Sequence, residues 1–176
     1  NCDGVITVSD VTATIDIILE RPTALNQANR AAVTSDDKIF IDDFKLVNGQ
    51  QQTINLQLTN TGHYTAFQCD IVLPEGLTIA ENEQQVPMIS ISSANAQDHI
   101  VQANYVGSGA LRLLVMSMNN TAFATNANDV VTLTFEANAE TLGQKVINIE
   151  NVRLVDVESR TESEAPDTQA TVEIEA

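Results

Sequence analysis

The chain has 176 residues, of which 43% are hydrophobic and 18% are charged, so it can fill the core of one ordinary domain and is not a disordered acidic polymer. Its 24 acidic and 8 basic residues give a formal charge of −16, which disfavours nucleic acid and anionic membrane surfaces as partners. No apolar run approaches the ~20 residues that a membrane-spanning helix needs.

Residues 1–22 predict a polar loop followed by a helix. Ser9 and Asp10 lie in the first turn, where side-chain acceptors and negative charge are favourable, and Pro22 ends the pattern. The apolar face of this helix repeats at helical spacing through Val11, Ile15, Ile18 and Leu19. Residues 23–35 are polar and rich in Ala and Asn, which predicts a linker.

From residue 38 onward the apolar period changes to two, and turn signals such as Asn48-Gly49 and Pro74-Glu75-Gly76 separate short runs. Residues 111–118 are almost continuously apolar, which is typical of a central strand covered on both faces. About nine to ten strands with no long helical pattern between them predict an all-β, antiparallel jelly-roll sandwich over residues 36–176.

The first ten residues have the spacing of an EF-hand calcium loop from its third position onward, with Gly4 at the sharp turn. The predicted ligands are the side chains of Asn1, Asp3, Thr7 and Asp10 and the carbonyl of Val5. The first ligand would precede Asn1, so we expect the N-terminus to be incomplete and calcium binding in this chain to be weak or absent. The alternative is an Asx turn that caps the helix without a metal.

This loop and helix resemble a type I dockerin calcium repeat. The resemblance implies that Val8 and Ser9 lie where dockerins carry residues that recognise a cohesin. Residues 32–43 could be a decayed second repeat, with Asp36, Ile39 and Asp43 at positions five, eight and twelve of the loop. The alternative for these residues is the approach to the first strand of the sandwich.

Four runs in the remainder resemble strands and turns of a cohesin domain: residues 43–50, 53–60, 64–77 and 131–137. The resemblance implies a nine-stranded jelly roll, related to carbohydrate-binding modules, that binds dockerins in bacterial extracellular polysaccharide-degrading assemblies. It also implies that a dockerin-receiving sheet face carries the outward residues Gln68, Asp70, Gln102 and Asn104. The alternative for each of them is an ordinary solvated strand residue.

Catalysis has little support in the sequence. His63 and His99 lie at turn or strand-edge positions without triad or metal-ligand spacing around them, so we expect both on the surface. Cys69 alternates with Phe67 and Ile71, which predicts a buried core residue, and Cys2 has no evident partner. We therefore predict a protein that is not an enzyme.

Sugar binding is the main rival to protein binding. The chain has no Trp, and only Tyr64 and Tyr105 remain as stacking platforms because Phe67 and Phe135 are predicted in the core. A structural spacer is the third alternative. We predict a secreted or cell-surface bacterial scaffolding module that associates with a protein carrying a dockerin or cohesin, including copies of itself.

Overall fold

A computed structural model of the chain describes Val8, Val11, Thr14, residues 33–158 and residues 162–176. Val8, Val11 and Thr14 have helical backbone, in agreement with the predicted helix. The remaining described residues form a β-sandwich whose strands are β1 Val33–Thr34, β2 Lys38–Phe40, β3 Phe44–Val47, β4 Gln51–Thr59, β5 Tyr64–Val72, β6 Leu77–Ile79, β7 Ile89–Ile91, β8 His99–Tyr105, β9 Leu111–Ser117, β10 Asn128–Ala137, β11 Gly143–Asp156, β12 Glu162–Glu164 and β13 Thr168–Glu175.

Two sheets make up the sandwich. The eight-stranded sheet runs β1-β12-β11-β5-β9-β8, and β13 pairs with the first half of β11 and with β3. The five-stranded sheet runs β2-β4-β10-β6, and β7 also pairs with β10. All pairings are antiparallel except β1 with β12 and β13 with β3. The predicted all-β jelly-roll class is therefore confirmed.

The core lies between the sheets and follows from the alternation of side chains along each strand. Strand β5 sends Phe67, Cys69 and Ile71 inward, where all three are fully buried. Strand β10 supplies Leu133 and Phe135 from the opposite sheet. The predictions for Phe67, Phe135 and Cys69 are confirmed, and burial raises the pKa of the Cys69 thiol.

The start of the sandwich differs from the sequence prediction. Strand β1 pairs with β12 inside the predicted linker, so the sandwich begins before residue 36. Strand β11 is 14 residues long, and a bulge near Asn151 interrupts its alternation without ending the pairing. Ile39 of β2 lies in the core, and Asp43, directly before β3, accepts a hydrogen bond from the Thr171 amide, so both are part of the sandwich.

A buried carboxylate joins the start of the sandwich to the turn before β5. Asp37 accepts hydrogen bonds from the Thr61 amide at 2.9 Å, the Gly62 amide at 3.0 Å and the Tyr64 hydroxyl at 2.7 Å. Burial alone would raise the pKa of Asp37, but these hydrogen bonds outweigh it and hold the pKa below the usual value. Tyr64 is only 6% exposed, so the prediction that it could serve as a sugar platform is wrong.

His99 is also buried, which contradicts the predicted surface position. Its ring stacks on Phe123 with 3.9 Å between centroids and is 4% exposed. Neither ring nitrogen makes a hydrogen bond of ordinary geometry with a described residue. Burial lowers the pKa of His99, although the charge of Asp98 and nearby backbone groups of Thr121 and Asn95 act in the opposite direction.

Gly62 should be intolerant of a side chain. A Cβ at this position would lie 2.6 Å from Cζ of the Tyr64 ring, so Gly62→Ala must displace the ring from its hydrogen bond with Asp37. We expect a loss of about 1–3 kcal/mol in the free energy of unfolding, measured by denaturant titration. Gly107→Ala is the matched control because nothing lies within 4 Å of its added Cβ. Equal stability of the two variants would contradict this packing.

His99 should make the protein lose stability in mild acid. Its folded-state pKa lies below the value of about 6.5 in unfolded chains, so the unfolded state takes up a proton first as the pH falls. Stability should be full above pH 6.5 and decline below it, and His99→Phe should remove this part of the decline. The same substitution at the exposed His63 should leave the decline in place. Thermal unfolding between pH 7.5 and pH 5 measures both.

Candidate functional site

The face of the eight-stranded sheet that points away from the core is called here the outer face. It is built by β11, β5, β9 and β8, which lie side by side in that order. Because alternate residues of each strand point outward, the strand registers align the outward side chains in three rows. The apolar row is Val155, Ala66, Met116 and Ile100; the middle row is Arg153, Gln68, Leu114 and Gln102; the ionic row is Glu150, Asp70, Arg112 and Asn104.

The N-terminal segment covers most of the apolar row. Val8 is fully buried in a cluster with Ala66, Met116 and Val155. Val11 packs against the same cluster, as does Leu114 of the middle row. Complete burial of one Val side chain, such as that of Val8, contributes about 1.5–2 kcal/mol.

The exposure of Val8, Val11 and Thr14 fits a helix that contacts the outer face along one side. Successive residues turn by about 100°, so Val11 lies about 60° and Thr14 about 120° around the helix from Val8. Val8 is buried, Val11 is half-buried and Thr14 is exposed, which is the order that this rotation requires. Val8 and Val11, three residues apart, therefore lie on the side of the helix that contacts the sheet.

A buried ion pair fixes the ionic row. The Arg112 guanidinium donates from Nε to Asp70 Oδ1 at 2.7 Å and from Nη2 to Oδ2 at 2.8 Å, and Asn151 Nδ2 donates to Oδ2 at 3.0 Å. Asn151 reaches Asp70 from the bulge in β11, where its φ of 53° redirects the side chain. Burial would raise the pKa of Asp70, but these hydrogen bonds and the charge of Arg112 hold it below the usual value.

The second cation of the outer face is paired as well. Arg153 donates to Glu162 at 2.6 Å and lies 3.2 Å from a carboxylate oxygen of Glu164, both on β12. The two arginines therefore meet acids of their own chain, and their charges are largely compensated. The outer face offers a partner polar and apolar contacts more than free positive charge.

The four sandwich residues that were predicted to receive a partner differ in how exposed they are. Gln102 and Asn104 are exposed on β8, as predicted. Gln68 and Asp70 point to the outer face, as predicted, but are only 5% and 3% exposed, and their contact with a partner stays a prediction. They lie on the central strand β5 between the long side chains of β11 and β9, whereas β8 is the edge of the sheet.

Val8 was predicted to recognise a separate partner, and in the structure it is buried against the sandwich of its own chain. Its role in recognition stays a prediction. Ser9 and the predicted calcium ligands Asn1, Asp3, Val5, Thr7 and Asp10 lie outside the described residues. Across residues 33–158, 162–176 and the three N-terminal positions, no group of three or more His, Cys, Asp or Glu side chains could hold a metal ion. The same residues include no helix with the length and hydropathy to cross a membrane.

The sequence prediction missed the apolar row, although its signal was present. Residues 111–118 were predicted to be covered on both faces, and Met116 is indeed 7% exposed on the outer side. The sequence pattern did not show which segment covers the outer side of β9. Tyr105, at the end of β8, is 58% exposed and is the one remaining exposed Tyr or Phe among the described residues.

Solved structures with the same fold are cohesin modules. A cohesin module from a Clostridium perfringens family 33 glycoside hydrolase matches 82% of this chain and 98% of its own, with a TM-score of 0.64 and 12% identity. A non-cellulosomal cohesin from Archaeoglobus fulgidus matches 81% of this chain and 93% of its own, with a TM-score of 0.62 and 9% identity. A structure of a type I cohesin–dockerin complex from Clostridium thermocellum matches 80% of this chain and 99% of that chain, with a TM-score of 0.61 and 15% identity.

No family model matches the sequence, and no curated protein matches it. At 9–15% identity the structural likeness establishes the fold. The sandwich is thus a cohesin-like jelly roll.

The Asp70–Arg112 pair should show strong energetic coupling. Asp70→Asn and Arg112→Gln each leave a group without its partner, and each should cost about 2 kcal/mol of unfolding free energy. The double variant should cost less than the sum by about 1–2 kcal/mol in a denaturant-based double-mutant cycle. Because the pKa of Asp70 is lowered on folding, its contribution is present above about pH 4 and is lost as the pH falls through its folded-state pKa. Strict additivity at pH 7 would contradict the pairing.

Proposed function

We propose that this chain is a non-catalytic protein-binding module that receives a dockerin-like helical module on its outer face. The observation that carries the proposal is the juxtaposition on that face of an apolar row, which already contacts a helical segment, and the exposed polar edge of Gln102 and Asn104. A helix can lie across such a surface with one apolar edge inward and polar contacts beside it.

The absence of a stacking platform favours a protein partner over a polysaccharide. Modules that bind sugar chains present rows of aromatic rings, and Tyr105 alone cannot form a row. Tyr64, the other candidate, is committed to Asp37 in the interior. The cohesin modules of similar fold include one solved together with a dockerin, which supports the same kind of partner here.

The non-catalytic part of the proposal is supported by the state of the reactive side chains. Cys69 is fully buried, and burial raises the pKa of its thiol, so the nucleophilic thiolate is disfavoured. His99 is buried in the interior and stacked on Phe123. The buried Asp37 and Asp70 are occupied by hydrogen bonds that stabilise the fold.

Calcium and location are further parts of the proposal. We propose that the loop of Asn1, Asp3, Val5, Thr7 and Asp10 holds calcium when an acidic ligand precedes it, because these oxygen donors have EF-hand spacing. We also propose that the protein works outside the cell, in a bacterial surface or polysaccharide-degrading assembly. Recovery of the native protein only from the cytosol would contradict the second point.

The wild-type chain should capture a calcium-loaded dockerin. The probe is a panel of type I dockerins that includes the one from the Clostridium thermocellum complex, tested by surface plasmon resonance with calcium and with EDTA. We expect at least one dockerin to bind and to be released by the chelator. Binding of none of them, or retention on insoluble cellulose or chitin instead, would overturn the proposal.

The exposed edge of the outer face should decide the affinity. Gln102→Arg places a long cation at the centre of that edge and should weaken the best dockerin at least tenfold, because a mismatched interfacial charge is costly. Gln84→Arg is the matched control, since Gln84 is exposed in the loop between β6 and β7, which belong to the other sheet. Equal loss in both variants would show that net charge, and not the outer face, controls binding.

A further inference from the structure

We propose that the N-terminal helical segment is a removable cover of the apolar row, and that a partner helix must displace it to occupy the outer face. The inference rests on the proposed function for the identity of the competitor. The cover itself stands on the contacts of Val8 and Val11 alone. On this proposal the outer face has two states: in one its own N-terminal segment covers the apolar row, and in the other a partner helix covers it.

The apolar row explains why a cover is present. Ala66, Met116 and Val155 are outward residues of three adjacent strands, and they form a continuous apolar strip. Val8 packs on this strip, and all three side chains of the strip are at most 7% exposed. Outward residues of a sheet are usually polar, so an apolar strip of this kind indicates a surface built to be covered.

The described part of the cover does not span the whole apolar row. Its contacts are those of the fully buried Val8 and the half-buried Val11, and the exposed Thr14 lies farther around the helix. The apolar row also continues beyond the cover to Ile100, which is 37% exposed on the edge strand. A partner that spans the full row gains contacts with Ile100 that the cover does not make.

The geometry also specifies the partner. The contact uses residues three apart on a helix, both of them small and β-branched, so a competing helix should present Val, Ile or Thr at positions i and i+3. Long charged side chains at those positions would meet Met116 and Val155 without a counter-charge, since both arginines of the outer face are already paired. An amphipathic helix with a narrow apolar edge fits best.

Methyl NMR can test the cover directly, because the chain has three methionines in three environments. Met116 lies beneath Val8, whereas Met88 and Met118 are 38% and 54% exposed. In the full chain labelled at methionine methyls, a soluble paramagnetic agent should broaden Met88 and Met118 and spare Met116. Val8→Asp should shift Met116 and bring its broadening up to that of Met118.

Val86→Asp is the matched control, since the same substitution at a residue that is 53% exposed should perturb Met88 and leave Met116 unchanged. Val8→Ala, which removes apolar area without adding charge, should give a smaller change in the same direction. Unchanged Met88 and Met118 signals in the Val8 variants verify that the sandwich is folded. Broadening of Met116 in the wild type, or no change on Val8→Asp, would overturn the cover.

Binding of the best dockerin from the panel tests the competition. A partner that needs the open state binds with an affinity reduced by the fraction of molecules that are open, so Val8→Asp should bind about tenfold tighter than wild type. An equal affinity in the two proteins, with Met116 newly exposed, would overturn the competition. If no dockerin binds either protein while Met116 responds as expected, the proposed function fails and the cover stands.

Discussion

Strands β5 and β9 lie at the centre of the eight-stranded sheet, and the rest of the structure depends on both of their faces being filled. The inward face is satisfied by the core, through Phe67 and Leu113 against the opposite sheet. The outward face carries Ala66, Met116 and Asp70, which are neither solvated nor alike. Val8 packs over Ala66 and Met116, whereas Asp70 is buried in its ion pair with Arg112, and these two contacts define the candidate site.

The ion pair of Asp70 and Arg112 holds these side chains of the outer face in place and compensates their charges. A bidentate pair such as Asp70–Arg112 contributes less net stability than its distances suggest, because burial of a carboxylate costs solvation that the pair must recover. Its stronger effect is on specificity: the side chains are held in one arrangement, and the Arg112 charge is not available to a partner. In a chain of net charge −16, this compensation leaves few cations for long-range attraction of an acidic ligand. Recognition on this face must therefore depend on shape and short-range contact.

Sequence patterns predicted the sandwich because alternation is a local property of each strand. The inward position of Phe67 and Cys69, and the exposure of Gln102, follow from period two and turn placement. The burial of Gln68 and Asp70 could not be read in the same way, since it depends on which strands become neighbours. Alternation gives the face on which a residue lies, and only the strand order gives its distance from the sheet edge.

The misassigned His99 and Tyr64 have the same origin. Each lies at the first position of its strand, where turn residues are usually exposed, and each is enclosed by a loop distant in sequence. His99 is covered by Phe123 from the segment after β9, and Tyr64 is tied to Asp37 from the approach to β2. Periodicity within a window of ten residues does not predict such contacts. The bulge at Asn151 is similar, because an unpaired residue that redirects one amide toward Asp70 leaves only a short break in the pattern.

The apolar row shows how the local and non-local signals combine. Residues 111–118 contain more apolar side chains than one buried face can use, so the sequence alone requires a second layer over β9. In most sandwiches that requirement is met by another sheet or by a permanent helix with a broad apolar face. Here the described cover is a helix edge anchored chiefly at Val8, and the row extends past it to Ile100. A partner helix that also contacts Ile100 would bury apolar area that Val8 and Val11 leave exposed, and in the proposed exchange this difference in contact area favours the partner.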